Sequence, residues 1–319
     1  MVQNLEMIVK SVVIGHAIGD ALGVPVEFCE RSELATGPVD DMEAFGTYPV
    51  PAGSWSDDTS MSIAALDSLK NGILDYDDIM NNFVKWCSLD EYTPTGEMFD
   101  IGRTCLNAIQ NFLKTDGKPA LECGLSDERS NGNGSLMRIH PFSLYTYIVD
   151  CKDNENKIIH NASSMTHAHK RSQIACGIYT LILHEILNCP HKTSIKLGLD
   201  KAYELYKDEP ENKHYTRIYD PDFVNTHIDS IKSTGYVVDT LEAALWCLMS
   251  TDSYSECVLK AVNLGDDTDT VAAVAGGLAG ALYGYNSIPV EWLNTLLRRE
   301  YLEEMCETAV RNWTTHNIY

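Results

Sequence analysis

The strongest chemical signal in the chain is a short run of acidic and hydroxyl residues, G-D-D-T-D-T, at positions 265–270. Three of these residues carry carboxylates: Asp266, Asp267 and Asp269. The next segment, residues 271–283, is uncharged and rich in Ala and Gly, which is typical of a helix packed on every side. Capping accounts for one or two acidic residues, but three buried like charges repel each other and lose hydration. A bound cation would remove that conflict, and the spacing alone leaves metal binding and plain capping both open.

A second acidic and hydroxyl cluster precedes another apolar helix. Residues 56–59 read S-D-D-T, and residues 61–69 then show an apolar pattern at helical spacing. Both clusters offer only oxygen donors, with no Cys or His interleaved, which favours Mg²⁺, Mn²⁺ or Ca²⁺ over Zn²⁺. Two such clusters could meet around one binuclear metal site.

The elements that must position these clusters are helical in pattern. Residues 5–22 have apolar side chains at helical spacing, and a Gly and a Pro then supply a stop. An amphipathic helix is predicted over residues 75–88, with Asp75 as its N-cap. A last amphipathic helix is predicted over about residues 289–312. Sustained strand alternation is absent from the sequence, so the predicted fold class is all-α.

The length, composition and net charge of the chain limit the classes of protein to which it can belong. The chain has 319 residues, 44% of them hydrophobic, and no linker divides it, which predicts one domain over residues 1–319. The formal net charge of −22 argues against broad binding to nucleic acid. Ten cysteines without a C-x-x-C pair indicate buried free thiols in a reducing compartment. Lys10 splits the apolar run at the N-terminus, so we expect a cytoplasmic protein without a signal peptide or membrane anchor.

Three further acidic residues could contribute to a site. Asp20 and Glu27 lie in G-D-A-L-G-V-P-V-E-F, and Asp100 lies where a loop enters a helix. Considered alone, each favours an ordinary role: hydrogen bonding near a helix end for Asp20, a loop carboxylate for Glu27, and capping for Asp100.

A glycine loop and a pair of histidines are the remaining candidates. The loop S-N-G-N-G-S-L-M-R, residues 130–138, can present several backbone N–H groups to one anion, although an ordinary tight turn has the same composition. His167 and His169 lie two residues apart and would point in different directions on a helix, which predicts at most one ligand-facing histidine.

Several motifs occur in the order found in one enzyme family. They are G-D-A-L-G-V-P-V-E-F, S-D-D-T, F-D-I-G, N-G-N-G-S-L-M-R, S-M-T-H, G-Y-V-V-D-T-L-E-A-A-L-W and G-D-D-T-D-T-V-A-A-V-A-G-G-L-A-G. Over about residues 10–285 the chain resembles the ADP-ribosylglycohydrolases, and it looks most like the bacterial branch that includes the dinitrogenase-reductase-activating glycohydrolase.

This resemblance implies a compact, orthogonal all-α domain with two Mg²⁺ or Mn²⁺ ions at the base of a cleft. The metal ligands that it implies are Ser56, Asp57, Asp58, Asp267, Asp269 and Thr270. The ADP-ribose contacts that it implies are Gly132, Asn133, Gly134, Ser135, His167 and Tyr236. Glu27 matches a family glutamate and is the expected general base. Asp100 matches an aspartate that handles the ribosyl-guanidinium end.

The chain departs from the family pattern at three positions. Ser56 stands where many members have Thr, which retains the hydroxyl. Asp266 stands where many members have Gly, which adds a charge beside the metals. Arg103 stands where the related bacterial enzymes often have Asn, which leaves open a different recognition of the leaving group in this chain.

The implied function is hydrolytic removal of ADP-ribose from a modified protein, with arginine as the first expected linkage. The alternatives are a hydrolase for another linkage, such as serine or a small molecule, a binding module without turnover, and an immunity protein that blocks an ADP-ribosylating toxin by contact. We expect a monomer whose partner is an ADP-ribosylated protein and whose product is ADP-ribose, with neither nucleic acid nor membrane bound.

Overall fold

The computed structural model describes residues 2–114, 117–149, 151 and 154–316. Within these ranges the chain forms α-helices joined by loops and short 3-10 turns, and it contains no β-strand, which confirms the predicted all-α class. The α-helices are α1 (Val2–Gly23), α2 (Arg31–Leu34), α3 (Asp57–Leu69), α4 (Tyr76–Leu89), α5 (Arg103–Lys114), α6 (His140–Ile148), α7 (Glu155–Ser164), α8 (Lys170–Asn188), α9 (Lys192–Tyr206), α10 (Val237–Met249), α11 (Tyr254–Val262), α12 (Thr268–Tyr283), α13 (Val290–Thr295) and α14 (Arg299–His316). The 3-10 turns are Val24–Val26, Ala120–Glu122, Pro210–Tyr219, Phe223–Asn225, Ile228–Ser230 and Tyr285–Ser287.

Helices α1 and α12 pack antiparallel along their length in the core of the fold. The residues of α12 from Thr268 to Leu282 are all buried. The segment Asn4–Val26 is long and apolar enough to cross a membrane, but 83% of its most apolar window is buried inside the protein. Such burial is what a core helix shows, and it agrees with the close packing of α1 on α12.

Glycines let these two helices approach closely. A Cβ atom on Gly19 would lie 2.1 Å from the carbonyl oxygen of Ala272, and a Cβ atom on Gly15 would lie 2.6 Å from that of Gly276. Contacts this short leave no room for a side chain, so the absence of a Cβ sets the distance between the helices. The C-terminal end of α1 therefore reaches the N-terminal end of α12.

Helices α3 and α4 begin at hydroxyl and acidic caps. Ser56 Oγ accepts a hydrogen bond from the backbone N–H of Asp58 at 3.3 Å. Asp75 accepts from the backbone N–H groups of Asp77 and Asp78, which confirms the predicted N-cap of α4. These caps satisfy N–H groups that have no partner inside a helix.

The prediction of one continuous helix over residues 289–312 is wrong. Residues 296–298 separate α13 from α14. At this break the backbone N–H of Leu297 donates to the carbonyl oxygen of Gly53 at 3.0 Å, and Arg298 has a left-handed φ of 52°. A contact with a distant loop thus replaces the helical hydrogen bonds, and helical periodicity in the local sequence cannot reveal such a contact.

Candidate active site

The start of α12 is fixed against the end of α1. The hydroxyl of Thr268 donates to the carbonyl oxygen of Gly23 at 2.8 Å. A Cβ atom on Gly23 would lie 2.3 Å from the Cα atom of Asp269, so only glycine fits there. Asp269 is consequently held in the interior, where it is 1% exposed.

Asp20 fastens the start of α3 to α1. Its Oδ1 accepts from the backbone N–H of Ser56 at 2.9 Å. Its Oδ2 accepts from the backbone N–H of Thr59 at 3.0 Å and from the hydroxyl of Thr59 at 2.6 Å. This is the hydrogen-bonding role that the sequence favoured for Asp20. Because the bonds orient the first turn of α3, they also direct its acidic cluster toward α12.

Asp269 joins two groups of carboxylates. Oxygen atoms of Asp20, Asp58 and Asp269 all lie within 4.8 Å of one another. Oxygen atoms of Glu27, Asp100 and Asp269 also lie within 4.8 Å of one another. The fold therefore brings the acidic clusters of α3 and α12 together, with Glu27 and Asp100 beside them.

The other predicted metal ligands border these two groups. Asp57 lines the cleft above them. The hydroxyl of Thr270 donates to Asp58 Oδ1 at 3.3 Å. Asp267 Oδ2 accepts from the side-chain amide of Asn133 at 2.8 Å, which links α12 to the glycine loop. Ser56 differs from them because its hydroxyl oxygen already caps α3.

Asp266, the extra acidic residue, has an exposed side chain. Among the described residues it belongs to neither carboxylate group. Its backbone instead joins two segments: its carbonyl oxygen accepts from the N–H of Phe28 at 2.7 Å, and its N–H donates to Cys29 at 2.9 Å. Asp266 therefore helps to hold the neighbouring Glu27 against the start of α12.

Burial raises the pKa of the clustered carboxyl groups. The pKa of Glu27 rises to about 9, chiefly because burial disfavours its charged form and secondly because Asp100 and Asp267 repel it. Burial, followed by the charges of neighbouring carboxylates, raises the pKa of Asp58 and of Asp269 well above the ordinary value. So many carboxylates cannot all be charged in the interior unless a cation compensates them.

Two buried oxygens in this cluster lack a hydrogen-bond partner among the described residues: Glu27 Oε2 and Asp58 Oδ2. Leaving buried polar atoms unpaired is costly, so each such atom requires an explanation. An oxygen-only donor set is the set that Mg²⁺ and Mn²⁺ prefer. The residues of the site therefore fit a hard divalent cation.

The raised pKa values predict that metal binding depends on pH. In the metal-free protein, Asp20 has a pKa of about 6 and Glu27 a pKa of about 9, both above their values in an unfolded chain. The folded state then holds extra protons, so its stability falls as pH rises through this window. A cation must displace those protons. The rise in Tm that Mg²⁺ or Mn²⁺ causes should therefore grow from about pH 6 to about pH 9.

Thermal unfolding with metal and with chelator, at several pH values across this window, measures the effect. The control is Asp269→Asn, in which the metal should produce little change in Tm at any pH. A metal-induced change in Tm that stays constant across the window would contradict the coupling between metal and carboxylate protons.

Tyr48 is a site residue that the sequence did not reveal. Its hydroxyl lies beside the carboxylates of Glu27 and Asp100. Burial, and then the charges of Asp100 and Glu27, raise the pKa of Tyr48. The loop reaches the site because the N–H of Thr47 bonds to the carbonyl oxygen of Pro25 at 2.8 Å. A tyrosine in an irregular loop carries no periodic or motif signal that could have identified it.

A cleft of about 470 Å³ opens above the carboxylates. Its acidic lining residues are Glu27, Asp57, Asp100 and Asp267. Its neutral lining includes Gly132, Asn133, Gly134 and His167. This volume lies in the range of small-molecule and cofactor pockets. One cleft thus combines the acidic cluster with the predicted anion-binding loop.

The glycine loop is held in place by backbone pairing with the segment that precedes α10. The N–H of Asn133 donates to the carbonyl oxygen of Gly235 at 3.0 Å, and the N–H of Val237 donates to that of Asn131 at 3.0 Å. The N–H of Asn133 is therefore engaged by the fold. Gly132 and Gly134 also line the cleft, where their N–H groups could donate to a ligand.

His167 is oriented by a chain of hydrogen bonds from the interior. The guanidinium of Arg138 donates to Thr166 Oγ1 at 2.7 Å, and Thr166 Oγ1 lies 2.9 Å from His167 Nδ1. Burial lowers the pKa of His167 to about 3, so the ring is neutral near pH 7. Since Thr166 Oγ1 already accepts from Arg138, its hydrogen is free for Nδ1. With Thr166 donating to Nδ1, the neutral ring carries its proton on Nε2, which is then free to donate to a ligand. His169 differs, because it caps α8.

Two of the predicted substrate contacts do not line the cleft. Ser135 is fully buried, and its hydroxyl is hydrogen-bonded in the interior. The ring of Tyr236 packs against Arg171, whose Cζ atom lies 5.8 Å from the ring centroid. Their chain neighbours Gly134 and Gly235 do line the cleft.

Comparison with known proteins identifies the family of this chain. The family model of the ADP-ribosylglycohydrolases matches residues 1–317. ADP-ribosylarginine hydrolase Tri1 from Serratia proteamaculans (strain 568) is 33% identical over 302 residues, which cover 93% of this chain and 77% of that protein. ADP-ribosyl-dinitrogen reductase glycohydrolase from Rhodospirillum rubrum is 33% identical over 288 residues, 89% of this chain and 88% of that protein.

A solved structure described as an ADP-ribosylglycohydrolase-related protein complex is similar throughout. It has a TM-score of 0.81 and 28% identity, with 98% of this chain and 99% of that chain covered. The chain therefore belongs to the ADP-ribosylglycohydrolase family, as its motifs predicted.

Proposed function

We propose that this protein is a metal-dependent hydrolase that removes ADP-ribose from arginine side chains of modified proteins. The observation that carries the proposal is the carboxylate cluster centred on Asp269, which lies beneath a cleft that also contains the glycine loop. Two similar proteins are named for ADP-ribosylarginine or ADP-ribosyl-dinitrogen reductase hydrolysis, which supports this substrate class.

The residues that would hold the metal ions are those of the two acidic clusters. They are Ser56, Asp57, Asp58, Asp267, Asp269 and Thr270, with Glu27 and Asp100 alongside. When bound, Mg²⁺ or Mn²⁺ would fix the ribose hydroxyls next to the scissile bond and polarise their surroundings. We propose two ions, because a single one would leave much of the negative charge uncompensated.

The glycine loop and His167 suit the diphosphate of ADP-ribose. The N–H groups of Gly132 and Gly134 and the Nε2–H of His167 can donate without adding a titrating charge. A Cβ atom on Gly134 would lie 2.9 Å from Cε1 of His167, so the loop tolerates no side chain there. An acidic protein can in this way bind an anion through local dipoles.

Glu27 is the proposed general base. Its carboxylate lines the cleft and can take a proton from the attacking water or from a ribose hydroxyl. The Tyr48 hydroxyl lies beside this carboxylate and would limit its orientation. A residue outside the two acidic clusters would thus help to position the base.

Asp100 is proposed to stabilise the guanidinium leaving group. Its carboxylate lies in the same cluster as Glu27, where a negative charge suits a cationic side chain that departs from the anomeric carbon. Asp100 also has a left-handed φ of 53°, an uncommon conformation for this residue type. In this conformation Asp100 lines the cleft.

Release of ADP-ribose from matched arginine-linked and serine-linked peptides tests this function. With Mg²⁺ or Mn²⁺ present, we expect release from the arginine-linked peptide and at least about tenfold slower release from the serine-linked one. Equal or faster release from the serine-linked peptide would reassign the linkage. No release from either peptide, with ADP-ribose binding intact, would instead favour a binding role.

A further inference from the structure

Two phenylalanine side chains, on the Glu27 segment and on the Tyr48 loop, are exposed to solvent. Phe28 is 68% exposed and lines the cleft, and Phe45 is 71% exposed. Both have left-handed backbone conformations, with φ values of 67° and 59°. A bulky residue at positive φ is an outlier, and an exposed aromatic ring gains nothing from burial in the free protein. The exposed rings and the left-handed conformations bring no gain in burial to the folded protein. A role in binding would explain them.

The loop that carries Phe45 is tied to the catalytic segment. The N–H of Phe45 donates to the carbonyl oxygen of Val50 at 2.9 Å, which closes the loop. The hydroxyl of Thr47 donates to the carbonyl oxygen of Glu27 at 2.7 Å. The ring centroid of Tyr48 lies 5.0 Å from that of Phe99. Phe45 therefore lies on the same loop that brings Tyr48 to the carboxylates, three residues before it.

This edge of the cleft is also acidic. Residues 27–50 contain six acidic residues and one basic residue, Arg31. The guanidinium of Arg31 is engaged with backbone carbonyl oxygens, including those of Leu264 and Ile228, so it is not displayed toward solvent as a free cation. Glu43 and Glu97 are exposed on the loops that carry Phe45 and Phe99. We call Phe28, Glu43, Phe45, Glu97 and Phe99 the acidic–aromatic rim.

We propose that the acidic–aromatic rim binds the polypeptide of the ADP-ribosylated target and prefers a basic segment around the modified side chain. This inference rests on the proposed function, because it takes a modified protein as the substrate. Carboxylates attract Lys and Arg, while aromatic rings pack on their aliphatic stems and attract their charged ends. Aromatic residues, Phe included, are also enriched at protein interfaces.

Other occupants fit the rim less well. A second copy of this chain would bring the same acidic rim and a net charge of −22, so like charges would repel. An anionic lipid surface would be repelled for the same reason. Charge complementarity therefore selects a basic polypeptide.

The test measures binding separately from turnover. Two fluorescent peptides carry one ADP-ribosylated arginine, flanked by Lys and Arg in one and by Asp and Glu in the other. In Glu27→Gln protein, the peptide with basic flanks should bind about tenfold more tightly, and added salt should reduce the difference. Adding Phe45→Asn should remove most of the difference, because the aromatic ring that packs on Lys and Arg is lost. Asn tolerates the left-handed conformation, so the loop should keep its shape. Equal affinity for both peptides would overturn the proposal.

Two further variants make this result specific. Glu43→Gln with Glu97→Gln should also reduce the preference for basic flanks, and it leaves the Phe45 ring in place. Ile73→Asn is the control, because Ile73 is 65% exposed and follows the far end of α3. An equal loss of preference in Ile73→Asn would overturn the rim assignment.

The rim and the proposed function can fail separately. In otherwise wild-type enzyme, Phe45→Asn should slow release from the basic peptide several-fold while leaving hydrolysis of free ADP-ribosylarginine within about twofold of wild type. Unequal peptide binding without release of ADP-ribose from either substrate would support the rim and refute the hydrolase. Release of ADP-ribose from both substrates, together with equal affinity for the two peptides, would support the hydrolase and refute the rim.

Discussion

Replacing Asp269 with asparagine should abolish the response to metal and reduce hydrolysis by at least about a hundredfold, while the protein stays folded. Asp269 is the residue shared by both carboxylate groups, so its loss removes a donor from each. Asparagine has nearly the same shape, and the first turn of α12 retains its contact with Gly23 through Thr268. Removing one of several repelling buried charges should even stabilise the metal-free protein.

Calorimetric titration with Mn²⁺ and thermal unfolding with and without metal measure this effect. The matched control is Asp266→Asn, three residues earlier in the chain. Asp266 has an exposed side chain and a left-handed φ of 61°, which asparagine adopts readily. The Asp266→Asn variant should bind metal and hydrolyse the substrate as the wild type does. Unchanged metal affinity in Asp269→Asn would refute the assignment of the site.

Replacing Glu27 with glutamine should reduce turnover by about 10²–10⁴-fold and leave ADP-ribose binding within a few-fold of wild type. Glutamine cannot take a proton from the nucleophile, whereas the glycine loop and His167 are unaffected by the change. The expected signature is a fall in kcat with a much smaller change in the Kd for ADP-ribose.

Single-turnover release of ADP-ribose, together with a binding titration, distinguishes these quantities. Glu122→Gln provides the same chemical change at an exposed position and should have no effect. Turnover close to wild type in Glu27→Gln would remove Glu27 from the mechanism. Loss of both binding and folding would instead indicate a structural role.

Features that depend on short-range sequence were predicted well. The acidic clusters at 56–59 and 265–270 each begin a buried helix, as capping chemistry and the apolar segments indicated. The N-cap at Asp75 followed from the same reasoning. In each case the residues that determine the structure lie within one or two helical turns. The local sequence is therefore enough to predict the feature.

Features that depend on distant contacts could not be predicted. Asp20 bonds to backbone groups of Ser56 and Thr59, more than thirty positions along the chain. Tyr48 reaches Glu27 only because its loop folds over Pro25. Helix periodicity and cap rules contain no information about such partners. The resemblance supplied a list of residues for the site, but only the fold explains how they are held.

The most direct test of the account is ADP-ribose release from an arginine-linked substrate by enzyme that has been stripped of metal and then titrated with Mn²⁺. We predict that the stripped enzyme releases almost no ADP-ribose, that release rises as the carboxylate site fills, and that Asp269→Asn does not recover at any Mn²⁺ concentration at which the wild type is saturated. Full activity in the stripped enzyme, or full recovery of Asp269→Asn, would contradict the central role of the carboxylate cluster.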